Sequence, residues 1–232
     1  MLELIQPISK RAQVVKALKE AILSGTIEPG ASIVESKMAQ TLGAGIPLVR
    51  EALIELEHEG FVQRIPYKGT TVTKLDPDEI RQIFRLRVEL EALSIQWAKS
   101  KIKDGDLETL AALIDGMEAA ARKVDLADFY EKDLAFHRQI WTLADNPYLA
   151  DALERIVTPL FAFFLMKTKR EPESYIESAA MHKAIVDAIP QKNALELREM
   201  MRRALTDWKT DMLKLLFSPE GSEDNHENSP AL

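Results

Sequence analysis

Asp133, His137 and His182 are residues whose types could hold a metal ion, and the first two have the spacing for it. The first two stand four apart in "DLAFH", so on a helix they share one face. His182 lies in a separate stretch, "HKAIVDAI". A carboxylate and imidazoles on facing helices can enclose a divalent ion within a bundle. The same two histidines on amphipathic helices equally suit a hydrogen-bonded core, and spacing leaves both readings open. Arg87 and Glu91 are also four apart and suit an ion pair along one helix face. Two histidines with one carboxylate is the composition of a non-haem iron centre as well. Against catalysis, the chain has no nucleophile elbow, no glycine-rich phosphate loop, no HExxH and no paired-carboxylate arrangement that stands out. The expectation is a binding protein, not an enzyme.

A second chemistry concerns "LGAGIPLVREALIELEHEGFV", residues 42–62. A tight turn precedes a short amphipathic helix, as in the second half of a helix-turn-helix. Phosphates are gripped by Lys, Arg, hydroxyls and helix N-termini. Base discrimination takes bidentate Arg, Asn or Gln. Here the front of the helix is Gly45-Ile46-Pro47-Leu48, and the first charge is Arg50. Downstream, "FVQRIPYKGTTVTKL" reads as two strands around a basic tip, Lys68-Gly69.

The elements that must carry these residues follow from periodicity. Val15, Leu18 and Ile22 make a helix of 9–25, Pro29-Gly30 a turn into a short strand, and 35–43 a short helix ending at Gly43. Pro47 suits a helix N1 position, with Val49, Leu53 and Leu56 on one face. Helix, strand, helix, turn, helix, hairpin is the order of a winged helix-turn-helix. Asp76, Pro77 and Glu79 open a new segment as cap, N1 and N3. Helical periods then run through 77–100, 106–123, 126–144, 147–168, 173–189 and 194–217. Asp104, Asp125, Asn146-Pro147 and Asn193 read as their caps. The fold class is mainly α: an N-terminal winged helix-turn-helix over 8–75 and an all-α antiparallel six-helix bundle over 76–217. The polar, acidic stretch 218–232 reads as a disordered tail.

Composition sets the partners. The net charge of −7 argues against a chain-wide nucleic-acid coat. Residues 1–75, however, hold nine Lys/Arg against eight Asp/Glu, whereas 76–232 hold 21 against 29. Only the N-terminal third approaches phosphate without general repulsion. No cysteine is present, so disulfides and thiolate metal sites are excluded. No apolar run nears the ~18 residues of a membrane span. "PLFAFFLM" (159–166) is short and reads as core, as do Trp97, Trp141 and Trp208. A cytoplasmic protein without membrane contact is expected.

"G-x-I-x-P-G" (25–30), "ESKMAQTLG" (35–43), "VREALxxLxxEG" (49–60) and the wing glycine Gly69 resemble the GntR family of bacterial transcription regulators. "RVELE" (87–91), "DLAFH" (133–137) and "HKAIVDAI" (182–189) resemble the ligand-sensing domain of its FadR-type (FCD) branch. Together the resemblances cover about 9–217. They imply a homodimer on a double-stranded DNA operator, most commonly a repressor. DNA contacts are implied at Arg50, Lys68, Gly69, Ser36 and Gly45.

The resemblance also shows what is missing. Similar proteins carry a Val-Ser-Arg-Thr-Pro-like run before "VREAL"; here Gly45, Ile46 and Pro47 replace its Ser, Arg and Thr. A basic residue common in the preceding helix is Ser36. A regulator that has lost its DNA reading and acts as a ligand-binding dimer is therefore the alternative. In the sensing domain the resemblance implies a divalent metal (Zn, Ni, Mn or Fe) on Asp133, His137 and His182. It further implies a small carboxylate effector meeting Arg87. Similar regulators add a histidine where this chain has Ala204, with Asp207 one turn on.

Overall fold

The computed structural model describes residues 9–67, 69–167 and 172–217. Lys68 and the 218–232 tail lie outside the described residues. The helices are α1 (Lys10–Leu23), α2 (Glu35–Leu42), α3 (Ile46–His58), α4 (Pro77–Ala98), α5 (Asp104–Arg122), α6 (Leu126–Leu143), α7 (Pro147–Lys167), α8 (Pro172–Ala188) and α9 (Ala194–Phe217). Three short strands, β1 (Ser32–Ile33), β2 (Val62–Ile65) and β3 (Gly69–Val72), form one antiparallel sheet in the order β1-β3-β2. Two compact units result.

The first unit holds α1–α3 and the sheet, together with Thr158–Met166 from the later half of α7. Ser9 caps α1, its Oγ accepting from Ala12 N at 3.1 Å. Both α1 and α2 pack on α3. The core includes Val15, Leu18, Ile22, Val49, Leu53 and Leu56, which are the apolar positions at helical spacing, and Phe61 between α3 and β2. Leu160, Phe163 and Phe164 of the apolar 159–166 run are buried too.

Two glycines are required by geometry. Gly43 ends α2 in the left-handed region (φ +59°), where a side chain is strained, and this opens the turn to α3. Gly60 (φ +78°) leads from α3 into β2. A Cβ built on Gly60 would lie 2.6 Å from the carbonyl carbon and oxygen of Thr158. The wing is the β2–β3 hairpin, in register through Gln63–Thr71 and Arg64–Thr70, with Tyr67 fully exposed at its tip.

The second unit holds the remaining helices. Asp76 Oδ1 accepts from Asp78 N and Glu79 N, and Glu79 returns the bond to Asp76 N, so α4 begins in a capping box. Asp125, Asn146 and Asn193 cap α6, α7 and α9 by accepting from Asp128 N, Leu149 N, and Leu195 and Glu196 N. At α5 the cap position is Lys103, not Asp104; its N–H donates to Asp106 at 2.9 Å. Within the unit α4 packs along α9 and against α6, while α5 packs on α6 and α8. Ile95, Leu110, Ile114, Met117, Phe136, Ile140, Ala179, Ile189 and Met201 are among the side chains of its core.

Candidate metal and effector site, and the reading face

In the second unit, one face of α4 is buried through Ile80, Phe84, Ile95 and Ala98. Arg87 and Glu91 occupy two positions of that apolar stripe and are themselves buried. Charged side chains survive there only when paired. Arg87 Nε donates to Glu91 Oε1 at 2.8 Å, and the ion pair read from the i,i+4 spacing is present. Glu91 Oε2 lies 2.8 Å from His137 Nδ1 on α6, with Trp141 Nε1 at 3.4 Å. The Arg87 guanidinium carbon lies 5.1 Å over the Trp208 ring and 5.6 Å over Phe84, in the range of cation–π attraction. Its Nη2 is 3.4 Å from His137 Nε2.

Asp133, His137 and His182 come together, with ligand atoms within 4.8 Å of one another. One turn of α6 brings the first two together, and α8 supplies His182. Protons decide what this group can do. His182 Nδ1 lies 2.7 Å from the Ser178 carbonyl, which can only accept, so Nδ1 carries a proton. His137 Nδ1 likewise donates to Glu91. Burial disfavours a charged Glu91, but the charges and hydrogen bonds of His137 and Arg87 outweigh it and hold the carboxyl down at about 2. With neutral rings both Nε2 atoms are bare. They stand 3.3 Å apart, and Asp133 Oδ1 lies 3.0 Å from that of His182 and 3.6 Å from that of His137. Oδ1 is buried and then has no donor among the described residues.

The His137 lone pair has Arg87 Nη2 beside it, whereas those of Asp133 and His182 face each other and call for a proton or a metal ion between them. A proton is one solution. Burial opposes charging His182, yet the charge and hydrogen bond of Asp133 raise its pKa above the ordinary value. Burial likewise opposes the Asp133 carboxylate, and His182 and His137 nevertheless lower its pKa. A divalent metal is the other solution. The donor set of one carboxylate oxygen and two imidazole nitrogens fits Zn, Ni, Mn or Fe. Both Nδ1–H groups are already anchored, one on a carboxylate and one on a backbone carbonyl, as metal-bound histidines require. The metal would take the His137 lone pair that Arg87 Nη2 approaches here.

Ala204 is half-buried and offers no donor atom, and Asp207 is exposed and outside the cluster. Glu91 is a member of the site that sequence reasoning missed; its signal was a second charge interrupting the apolar stripe of α4. Trp141 is core, but Trp97 is corrected: it is 40% exposed, because it stands two residues, about 200°, from the buried Ile95.

The reading face lies in the first unit. Gly45 is the N-cap of α3, exposed, with no side-chain cap bond. Ser36 is exposed in the first turn of α2, and Gly69 (φ +82°) begins β3. Arg50 is exposed, and its partner stands on the preceding helix. Its Nε and Nη2 hold the Glu35 carboxylate of α2 at 2.7–3.2 Å. The hydrogen bonds and charge of Arg50 lower the pKa of Glu35, against slight burial.

Comparisons with known proteins bear on both units. The family model described as "Bacterial regulatory proteins, gntR family" matches residues 10–72, and the FCD domain model matches 82–207. The HTH-type transcriptional regulator McbR of Escherichia coli (strain K12) is 28% identical over 149 residues, spanning 64% of this chain and 67% of that protein. The HTH-type transcriptional repressor GlaR of the same organism is 25% identical over 195 residues, spanning 81% of this chain and 89% of that protein. The HTH-type transcriptional repressor RspR, also from that strain, is 26% identical over 151 residues, 65% of each chain. Among solved structures, E. coli McbR/YncC superposes with a TM-score of 0.67 at 22% identity, covering 90% of this chain and 99% of that one. A GntR regulator from Rhodococcus sp. RHA1 superposes with a TM-score of 0.66 at 18% identity, covering 88% and 97%. At these identities the structural likeness bears on the fold.

Proposed function

From the premise that the chain belongs to the gntR family and carries an FCD domain, and is thus a transcription regulator with a DNA-binding helix-turn-helix, we propose a ligand-controlled repressor. The single observation that supports control by a ligand is the buried convergence of Arg87 with the Asp133, His137 and His182 donor atoms. A divalent metal held by those three residues, when bound, supplies a Lewis-acidic point for an anionic ligand. Arg87, fixed by Glu91 and stacked on Trp208, supplies a second positive group beside it. Both favour a small organic acid as effector. Repression is supported by the names of RspR and GlaR. A homodimer would place two reading helices about one DNA turn, roughly 34 Å, apart.

DNA binding by Arg50, the first-turn groups of α2 and α3 and the wing has a clear signature. Affinity for genomic operator fragments falls steeply with salt, and Arg50→Ala weakens it while reducing the salt slope by about one. If the full chain is not retained on any duplex even at low salt, the second reading, a ligand-binding dimer without DNA, takes its place. That reading is favoured by one observation: residues 44–48 carry no polar side chain and Arg50 is already paired.

The metal has its own check. Untagged protein, analysed for bound elements and titrated with zinc, nickel or manganese, binds about one equivalent. His182→Ala abolishes binding, and Glu91→Gln weakens it by about 10–100-fold by releasing the His137 ring. Wild-type and His182→Ala proteins equally empty after titration would remove the metal from this function.

A further inference from the structure

The exposed side chains of α3 are Ile46, Pro47, Arg50, Glu51, Ile54 and His58, while Val49, Ala52, Leu53 and Leu56 are buried. Ile46 is the first helical residue and 43% exposed, between the exposed Gly45 and Pro47. Arg50, among these exposed side chains, has Nε and Nη2 engaged by Glu35. A β-branched apolar side chain thus stands foremost where a reading helix usually offers hydrogen-bonding groups.

We propose that Ile46 reads thymine methyl groups in the major groove, so that the operator carries A·T pairs where the first turn of α3 meets it. This rests on the reading of the chain as a DNA binder. The second helix of a helix-turn-helix presents its N-terminal residues to base edges. In the major groove only thymine presents a methyl group; the other base-edge groups are hydrogen-bond donors and acceptors. Against a thymine, Ile46 and the methyl leave water together. Against a G·C pair, Ile46 displaces water from O6, N7 or N4 and returns no hydrogen bond. Discrimination therefore works in both directions, by attraction to one pair and by rejection of the other. The absence of polar side chains at 44–48 is then a change of specificity within an intact reading helix, and affinity comes from phosphate contacts around it.

The test starts from duplexes recovered by the full-length protein from a random 20-base-pair pool at low salt. Each recovered duplex is synthesised with thymine or with uracil, which differ by the 5-methyl group alone. The wild type should bind the uracil form about fourfold more weakly for each methyl covered. Ile46→Ala should bind both forms equally, with the salt slope unchanged. Equal binding of the two forms by the wild type, with salt dependence retained, overturns the role of Ile46 and leaves DNA binding standing. So does a thymine preference that persists in Ile46→Ala. Absence of salt-dependent binding to every duplex overturns the DNA reading itself.

Discussion

Glu91→Ala is expected to lower the stability of the folded chain by about 3–5 kcal/mol, as loss of one partner from a buried ion pair does. Glu91 is fully buried and accepts from Arg87, His137 and Trp141. Without it a guanidinium and an imidazole N–H in the core lose the carboxylate that accepts from both. Glu91→Gln keeps the volume and one acceptor, so its cost is expected to be smaller, about 1–3 kcal/mol. Acid should reveal the same group. Its folded-state value of about 2 lies below the ordinary 4.5, so its contribution is complete above pH 4.5 and fades as pH falls toward 2. Denaturant titrations at pH 7 and pH 3 should show a steeper loss in the wild type than in Glu91→Gln. A Glu91→Ala protein within about 1 kcal/mol of wild type would show that the pair is not a buried linchpin.

Gly60→Ala is the second large effect. A side chain at a positive φ costs about 1–2 kcal/mol. The added Cβ would also lie 2.6 Å from the Thr158 backbone and 2.7 Å from Pro159 N, where no flexible side-chain end can yield. Overpacking of this kind adds about 1–3 kcal/mol. Gly43→Ala is the matched control, since Gly43 also has a positive φ but a Cβ placed there would meet nothing within 4 Å. The first substitution should therefore be the more destabilising by the overpacking part alone. Equal midpoints in a denaturant titration would mean that the close approach of Thr158 does not constrain residue 60.

What could be read from the sequence shares one property: the determinants are local. Asp76, Asp125, Asn146 and Asn193 cap their helices through bonds to backbone two or three residues on. Asp133 and His137 share a face because one turn separates them. The tertiary partners were less accessible. Glu91 was visible as a mate for Arg87, but its bond to His137 spans 46 residues and leaves no periodic trace. Glu35 is hidden as the mate of Arg50, because charge pairing is legible along one helix and the partner stands on the one before it. His182 joins the cluster through resemblance; nothing in its own spacing ties α8 to α6. The apolar 159–166 run was legible as buried, whereas its grouping with the first unit, including the close approach of Gly60 to the Thr158 backbone, leaves no mark in a hydrophobic pattern.

The Glu35–Arg50 clasp has a consequence for timing. A free arginine carries up to about 2 kcal/mol of rotamer entropy, which a binding event must remove. Here the forked grip on Glu35 favours one conformer in the unbound chain, by the small margin that an exposed ion pair supplies. Whatever Arg50 meets at its Nη1 edge, part of that ordering is already biased toward the grip on Glu35.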